Sequence, residues 1–162
     1  MTELSPAYVA SRLAYDPESG ELTWLVGSYA GRRAGRLDTS GYRQVFIGGR
    51  RRPATHIIWL MMTGRLPSHF IDHRNRDKAD DRWANLREAS RSENARNSPG
   101  RSRYYAFKGI KPLPRKSSRW QARISVDGKY KHLGCFDTPE LAARAYDDAA
   151  RRFHGEFACT NF

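Results

Sequence analysis

The spacing of hydrophobic positions changes along the chain, and each change marks an element. A short apolar stretch runs from Tyr8 to Tyr15. Asp16-Pro17-Glu18-Ser19-Gly20 reads as a turn, and the alternation through Leu22, Trp24 and Val26 predicts a strand after it. Gly41 to Ile47 alternates again, with Tyr42, Gln44 and Phe46 on one face and Arg43, Val45 and Ile47 on the other. Gly48-Gly49 predicts a hairpin turn into a strongly basic return strand, Arg50 to Pro53. Ala54 to Thr63 is apolar on nearly all sides, which predicts a buried helix stopped by Gly64.

The second half changes character. Tyr104–Ile110, Trp120–Val126 and Lys131–Phe136 have strand composition, and Asp127-Gly128 between the last two is a hairpin signal. Thr138 can cap a helix whose first position is Pro139. Leu141, Ala142, Ala145, Tyr146, Ala149, Ala150 and Phe153 recur at helical spacing, and Gly155 can stop that helix. The pattern predicts a three-stranded antiparallel sheet packed on one helix. Ala122 and Ile124 then face the helix, while Arg123 and Ser125 face away from it. The fold class is α+β. Asn97-Ser98-Pro99-Gly100 is a breaker cluster. It divides the chain into an N-terminal region, 1–97, a basic linker, 98–103, and a C-terminal domain, 104–162.

Composition narrows the function classes. The chain has 162 residues, room for one medium domain or two small ones and too few for a large α/β enzyme. Its formal net charge is +12, and 23 of its 29 cationic side chains are arginine. The planar guanidinium fork suits phosphates and guanine edges, so the expected partner is a polyanion. Between Arg96 and Lys131 there are 11 basic residues and one acidic residue, Asp127. Cys135 and Cys159 are the only cysteines, which excludes a disulfide scaffold and a four-cysteine zinc site and reads as two reduced thiols. No apolar run approaches the roughly 20 residues of a membrane span. Met1 to Ala10 carries Glu3 and lacks the basic and apolar regions of a signal peptide. The expected location is the cytoplasm, with no membrane partner.

The candidate chemistry lies in residues 71–97. Asp72 and His73 end a short apolar run, Asn85 lies twelve residues beyond His73, and Asn94 nine beyond Asn85. Phosphodiester hydrolysis needs a base for the attacking water and a cation for the leaving oxygen. Histidine is the natural base near neutral pH. Asp72 and Asn94 offer hard oxygen ligands of the kind Mg²⁺ takes together with water and phosphate. Asp72 and His73 point opposite ways along a strand, so one can face the metal and the other the water. Asp77, Asp80 and Asp81 read as loop-capping or solvated carboxylates. His56 reads as structural, and His69 and His154 as ordinary surface or partly buried residues.

Asp72-His73, Asn85 and Asn94, with the surrounding Asn75, Asp77-Lys78 and Asn85-Leu86-Arg87 frame, resemble the HNH endonucleases of the phage and intron-encoded homing type. Trp59 to Pro67 looks like that family's lead-in helix and Gly-x-x-Pro turn. The resemblance implies a ββα-metal module, with its motif at 54–97, folded around one divalent ion, Mg²⁺ with Mn²⁺ as the alternative. It implies that Asp72 and Asn94 bind the metal, that His73 is the general base, and that Asn85 ties down the loop and orients His73. Arg76 stands where the frame usually has glycine, and His56-Ile57 where members often carry His-Arg.

Residues 104–162 resemble the AP2 domain of plant transcription factors, which also occurs attached to phage-type HNH nucleases. The match covers Gly109, Trp120-x-Ala122-x-Ile124, Gly128-Lys129, Leu133-Gly134-x-Phe136-Asp137-Thr138, Glu140, Ala142 to Asp147, Gly155, Ala158 and Asn161-Phe162. It implies a sheet face that reads the major groove of double-stranded DNA through Lys108, Lys111, Arg123, Ser125, Tyr130 and His132. The AP2 family commonly has tryptophan at the His132 position, so sequence preference does not carry over. Arg101 and Arg103 in the linker, with Arg96, and the Arg50-Arg51-Arg52 run, are expected to follow the phosphate backbone.

Together these readings describe a phage-encoded type of homing endonuclease, with one site per chain. One site fits nicking by a monomer, and a dimer would cut both strands. The alternative is a non-catalytic AP2-type transcriptional regulator with a degraded nuclease half. An RNA-binding role fits less well, because a sheet reader suits a B-form major groove better than an A-form one.

Overall fold

The computed structural model describes residues 4–99, 107–114 and 119–162, and the chain divides into two units, Met1–Arg91 and Ser92–Phe162. The first opens on a short helix, α1 (Pro6–Ala10), where the Ser5 side chain accepts from the Tyr8 N–H. Strands β1 (Leu13–Asp16) and β2 (Glu21–Trp24) pair antiparallel around the Asp16–Gly20 turn. A three-stranded antiparallel sheet follows: β3 (Arg36–Leu37), β4 (Arg43–Ile47) and β5 (Arg50–Pro53), with β4 in the middle. Alternation on β4 decides its faces: Arg43, Val45 and Ile47 are buried and Phe46 is exposed. β3 is two residues long and carries no periodicity that a sequence pattern could reveal.

Helix α2 (Ala54–Thr63) buries Ile57, Ile58, Trp59 and Leu60, and Gly64 caps it with its N–H on the Leu60 carbonyl. The helix packs with Val9, Leu13, Leu22, Val45 and Leu86 in one core. That core carries the hairpin β6 (Phe70–His73) and β7 (Leu86–Ala89), with Asp72 opposite Arg87 and His73 opposite Leu86.

The second unit comprises helix α3 (Arg91–Asn97, its first residue at the junction), strands β8 (Ile110–Pro112), β9 (Trp120–Val126) and β10 (Lys129–Phe136), and helix α4 (Pro139–His154). The sheet is antiparallel with β9 central, and Ala122 and Ile124 are buried with Ala142, Ala143, Tyr146 and Ala150 of α4. Thr138 caps α4 by accepting the Leu141 N–H, with Pro139 at the first position. No helix among the described residues is long and apolar enough to cross a membrane.

The second unit differs from the sequence expectation in two boundaries and one helix position. The first strand of this sheet begins at Ile110 rather than filling Tyr104–Ile110, of which 104–106 lie outside the described residues. Gly109 turns the chain at φ 79°, and a Cβ there would stand 1.9 Å from the Tyr146 ring, so the backbone must bend where it meets α4. β10 starts at Lys129, because Asp127 and Gly128, both at positive φ, complete the turn by themselves. Leu141 is 50% exposed, whereas Asp147 is buried. Leu141 lies five positions before Tyr146, about 140° around the helix, too far to share its face.

Candidate active site and nucleic-acid interface

His73 and Asp72 are consecutive on β6, and each meets its own charged partner. His73 is 4% exposed, and its Nε2 lies 3.1 Å from Oδ1 of Asp81. Asp81 is itself buried, with Arg43 Nε 3.7 Å from its Oδ2. The reading of Asp81 as a capping or solvated carboxylate is therefore corrected: it is the buried partner of the histidine. The β1–β2 hairpin drives it inward. The Tyr15 hydroxyl donates to the Asp81 carbonyl at 2.8 Å, and the Trp83 N–H donates to the Pro17 carbonyl at 3.1 Å. A Cβ on Gly20 would stand 2.5 Å from the Arg82 nitrogen, so the hairpin turn lies directly on this loop. The signal in the sequence was Arg43. An arginine on the same face as Val45 and Ile47 has to find a carboxylate inside.

Asp72 faces β7. Its Oδ2 accepts from Arg87 Nε at 2.9 Å, with Nη2 at 2.8 Å, and both residues are buried. Asn85 ties the loop between the two strands at both ends. Its Oδ1 accepts from the Asn75 N–H at 2.9 Å, and its Nδ2 donates to the Asp80 carbonyl at 2.7 Å. Asp77 caps the loop by accepting the Ala79 N–H. Asp80 accepts from Arg82 and from the Asn75 amide, and the Arg82 guanidinium holds its carboxyl well below the usual carboxylate range.

Arg76 occupies the left-handed region at φ 69°. That conformation costs a non-glycine residue on the order of 1–2 kcal/mol, against the roughly 0.5–1 kcal/mol entropic cost of glycine. Arg76→Gly is expected to stabilise the protein by up to about 1 kcal/mol. Urea denaturation would read this as a higher midpoint, and a lower midpoint would contradict the strain assignment.

Asn94 lies on α3, in the second unit, and is half-buried. Among the described residues no three His, Cys, Asp or Glu side chains cluster as a closed metal cage would require. The donor types of Asp72 and Asn94 are those of a more open, hydrated site. One carboxylate and one amide oxygen are hard donors, and Mg²⁺ keeps several waters and takes phosphate as ligand.

The register of the second sheet gathers one polar face. His132 is opposite Arg123, Tyr130 opposite Ser125, and Lys111 opposite Gln121. Because Ala122 and Ile124 point at α4, all of these residues stand on the far face, which Gln121 joins although the sequence reading did not select it. The Arg123 guanidinium lies over the Tyr130 ring at 4.5 Å, and Gln121 Nε2 is 2.9 Å from His132 Nδ1. Lys108 behaves differently: its ammonium donates to the carbonyls of Arg96 and Ser98. Arg101 and Arg103 lie outside the described residues.

His154 is buried at the end of α4, with Nε2 2.9 Å from the Ser125 carbonyl. A carbonyl only accepts, so Nε2 carries the proton. Burial, aided by the Arg96 and Lys108 cations and opposed by the Ser125 carbonyl, lowers the His154 pKa. The unfolded chain therefore binds the proton more readily, and this contribution to stability is complete above about pH 6.5 and declines as the pH falls below it. The urea midpoint is expected to drop between pH 7.5 and pH 5, and His154→Gln should flatten that part of the curve. An equally steep curve in the variant would assign the dependence to other groups.

Residues 52–96 match a family model described as HNH endonuclease. The uncharacterized HNH endonuclease L560 of Acanthamoeba polyphaga mimivirus is 28% identical over 126 residues, covering 77% of this chain and 65% of that protein. APETALA2-like protein 2 of Oryza sativa subsp. indica is 50% identical over 58 residues, which is 35% of this chain and 13% of that protein. Ethylene-responsive transcription factor ERF084 of Arabidopsis thaliana is 52% identical over 58 residues, covering 35% of this chain and 22% of that protein. The chain thus spans only a small part of the plant proteins it matches. A solved structure titled for DNA binding and cleavage by the HNH homing endonuclease I-HmuI aligns with 88% of this chain and 85% of its own, at 18% identity and a TM-score of 0.42. Residues 52–96 thus match the HNH endonuclease family model, and a second stretch is similar to AP2/ERF proteins.

Proposed function

We propose that the protein is a metal-dependent DNA endonuclease of the site-directed homing type, with an HNH module at 54–97 positioned by an AP2-type reader at 104–162. The observation that carries this reading is the β6–β7 hairpin. It holds His73 against Asp81 beside Asp72, inside the segment that matches the HNH endonuclease family.

In this reading Asp72 and Asn94 hold one divalent ion, Mg²⁺ with Mn²⁺ as the alternative. When bound, the ion supplies a Lewis acid that draws charge from the scissile phosphate and the leaving 3′ oxygen. The chain does the rest. Asp81 fixes the plane of the His73 ring and favours the proton on Nε2, which makes Nδ1 the accepting nitrogen. His73 takes a proton from water as the water oxygen bonds to phosphorus and the bond from phosphorus to the 3′ oxygen breaks, its electron pair leaving on that oxygen, which then takes a proton from solvent. Asn85 keeps the loop after His73 from relaxing, so the ring does not lose its aim. Arg87 sets the orientation of the Asp72 carboxylate.

The face with Lys111, Arg123, Ser125, Tyr130 and His132 reads double-stranded DNA in the major groove, and cytoplasmic nicking by a monomer is the simplest use of one site per chain. The resemblance places Lys108 on the same DNA, and the basic charge of the linker places Arg101 and Arg103 along its phosphate backbone. For Lys108, hydrogen bonds to the Arg96 and Ser98 carbonyls support a different role.

The test is incubation with supercoiled plasmid and with genomic DNA of candidate hosts, in Mg²⁺ and in EDTA. Nicking or linearisation in Mg²⁺ alone is the expected result. Salt-sensitive binding with no cutting on any DNA would replace the nuclease by a non-catalytic AP2-type regulator.

A further inference from the structure

Helix α3 carries Asn94, yet it is seven residues long, too short to persist without help from its surroundings. The last carbonyls of any helix lack partners within it, and a cation there is favourable. Lys108 supplies both needs. Its Nζ donates to the carbonyl of Arg96 at 2.6 Å and to that of Ser98 at 2.5 Å. A second tie, Arg96 Nη2 to Asp127 Oδ1 at 3.5 Å, ends on an almost fully exposed carboxylate and is weak.

Lys108 is in turn held from below. Asn161 accepts the Lys108 N–H at 2.6 Å and donates to the Lys108 carbonyl at 3.2 Å. The buried Asp147 carboxylate on α4 accepts from the Asn161 N–H, the Asn161 amide and the Phe162 N–H, at 2.8, 2.8 and 3.0 Å. The adjoining Gly109 is pressed against Tyr146 of the same helix. A continuous line of contacts therefore runs from α4 through the last residues of the chain to Lys108 and on to α3. Each junction uses a charged group or a two-point amide clasp, the stronger kinds of hydrogen bond.

We propose that Lys108 is a positioning residue: by clasping the end of α3, it makes the C-terminal unit set the placement of Asn94. The inference rests on the reading of Asn94 as a metal ligand. It replaces the role of Lys108 as a DNA contact, since the ammonium is spent on protein carbonyls while Arg123 and its neighbours form the open face.

The test uses the full chain with Lys108→Met and Lys108→Arg. Hydrogen exchange followed by mass spectrometry should show the amides of α3 exchanging about tenfold faster or more in Lys108→Met, with α4 unchanged. The Mg²⁺ concentration for half-maximal cleavage should rise about fivefold or more, while DNA affinity in EDTA stays within about twofold. Lys108→Arg, which can reach both carbonyls, should recover most of the loss. Lys108→Gln, a milder change with a donor retained, serves if Lys108→Met does not fold, with shifts expected in the same direction.

Unchanged exchange in α3 overturns the clasp. Faster exchange with an unchanged metal requirement overturns the positioning role. Weaker DNA binding with a shallower salt dependence, by about one unit of slope, makes Lys108 a phosphate contact after all. If the wild-type chain cuts no DNA, the nuclease reading fails on its own. Mn²⁺ binding to the DNA-free protein, read by electron paramagnetic resonance, then decides the inference: weaker binding in Lys108→Met supports it and equal binding overturns it.

Discussion

Replacing His73 by alanine is expected to slow plasmid cleavage by about 10²–10⁴-fold, the usual worth of a general base, while DNA binding in EDTA stays unchanged. Burial and pairing set the size of the effect. His73 is almost fully enclosed and Asp81 takes its Nε2 side, so no second histidine shares its position on β6. His56 lies on α2, and His69 is exposed just before β6. A loss below about tenfold would remove His73 from the role of base. Full activity in the variant would place the chemistry elsewhere in the chain.

Replacing Arg87 by methionine is expected to destabilise the first unit by about 3–5 kcal/mol, because the Asp72 carboxylate would be left buried without its counter-charge. Combining it with Asp72→Leu should recover much of that loss, since two apolar groups of similar volume often pack as well as a buried ion pair. The double variant should then be folded and inactive, which separates stability from catalysis. Urea denaturation measures both variants. A cost below about 1 kcal/mol for Arg87→Met would mean that water reaches Asp72 and that the pair behaves as a surface one.

The elements that were legible in the sequence are those specified within a few residues. Gly64 ends α2, Thr138 and Pro139 begin α4, and Asp127-Gly128 joins β9 to β10, each through backbone angles or a cap that neighbouring residues supply. The faces of β4 and β9 were legible for the same reason, because alternation along a strand has period two whatever the strand packs against. The joint presence of Asp72, His73 and Asn85 around one short hairpin was legible in their spacing. Arg76 was visible as a departure, and its φ of 69° shows why glycine suits that position.

What could not be read locally is what depends on partners far along the chain. Asp80 and Asp81 are neighbours of identical chemistry. One faces Arg82 at the surface, and the other is buried between His73 and Arg43, because Tyr15, Pro17 and Gly20 press the loop inward from some sixty residues upstream. Lys108 looked like one cation among many in a basic stretch, and its direction was settled by Asn161 and Asp147 at the far end of the unit. Sequence by itself determined the turns, the caps and the strand faces, since these follow from backbone geometry over a few residues. Tertiary structure alone decided which carboxylate meets His73 and where the Lys108 ammonium goes, since a charge drawn from water is placed by whichever distant groups can pair or hydrogen-bond with it.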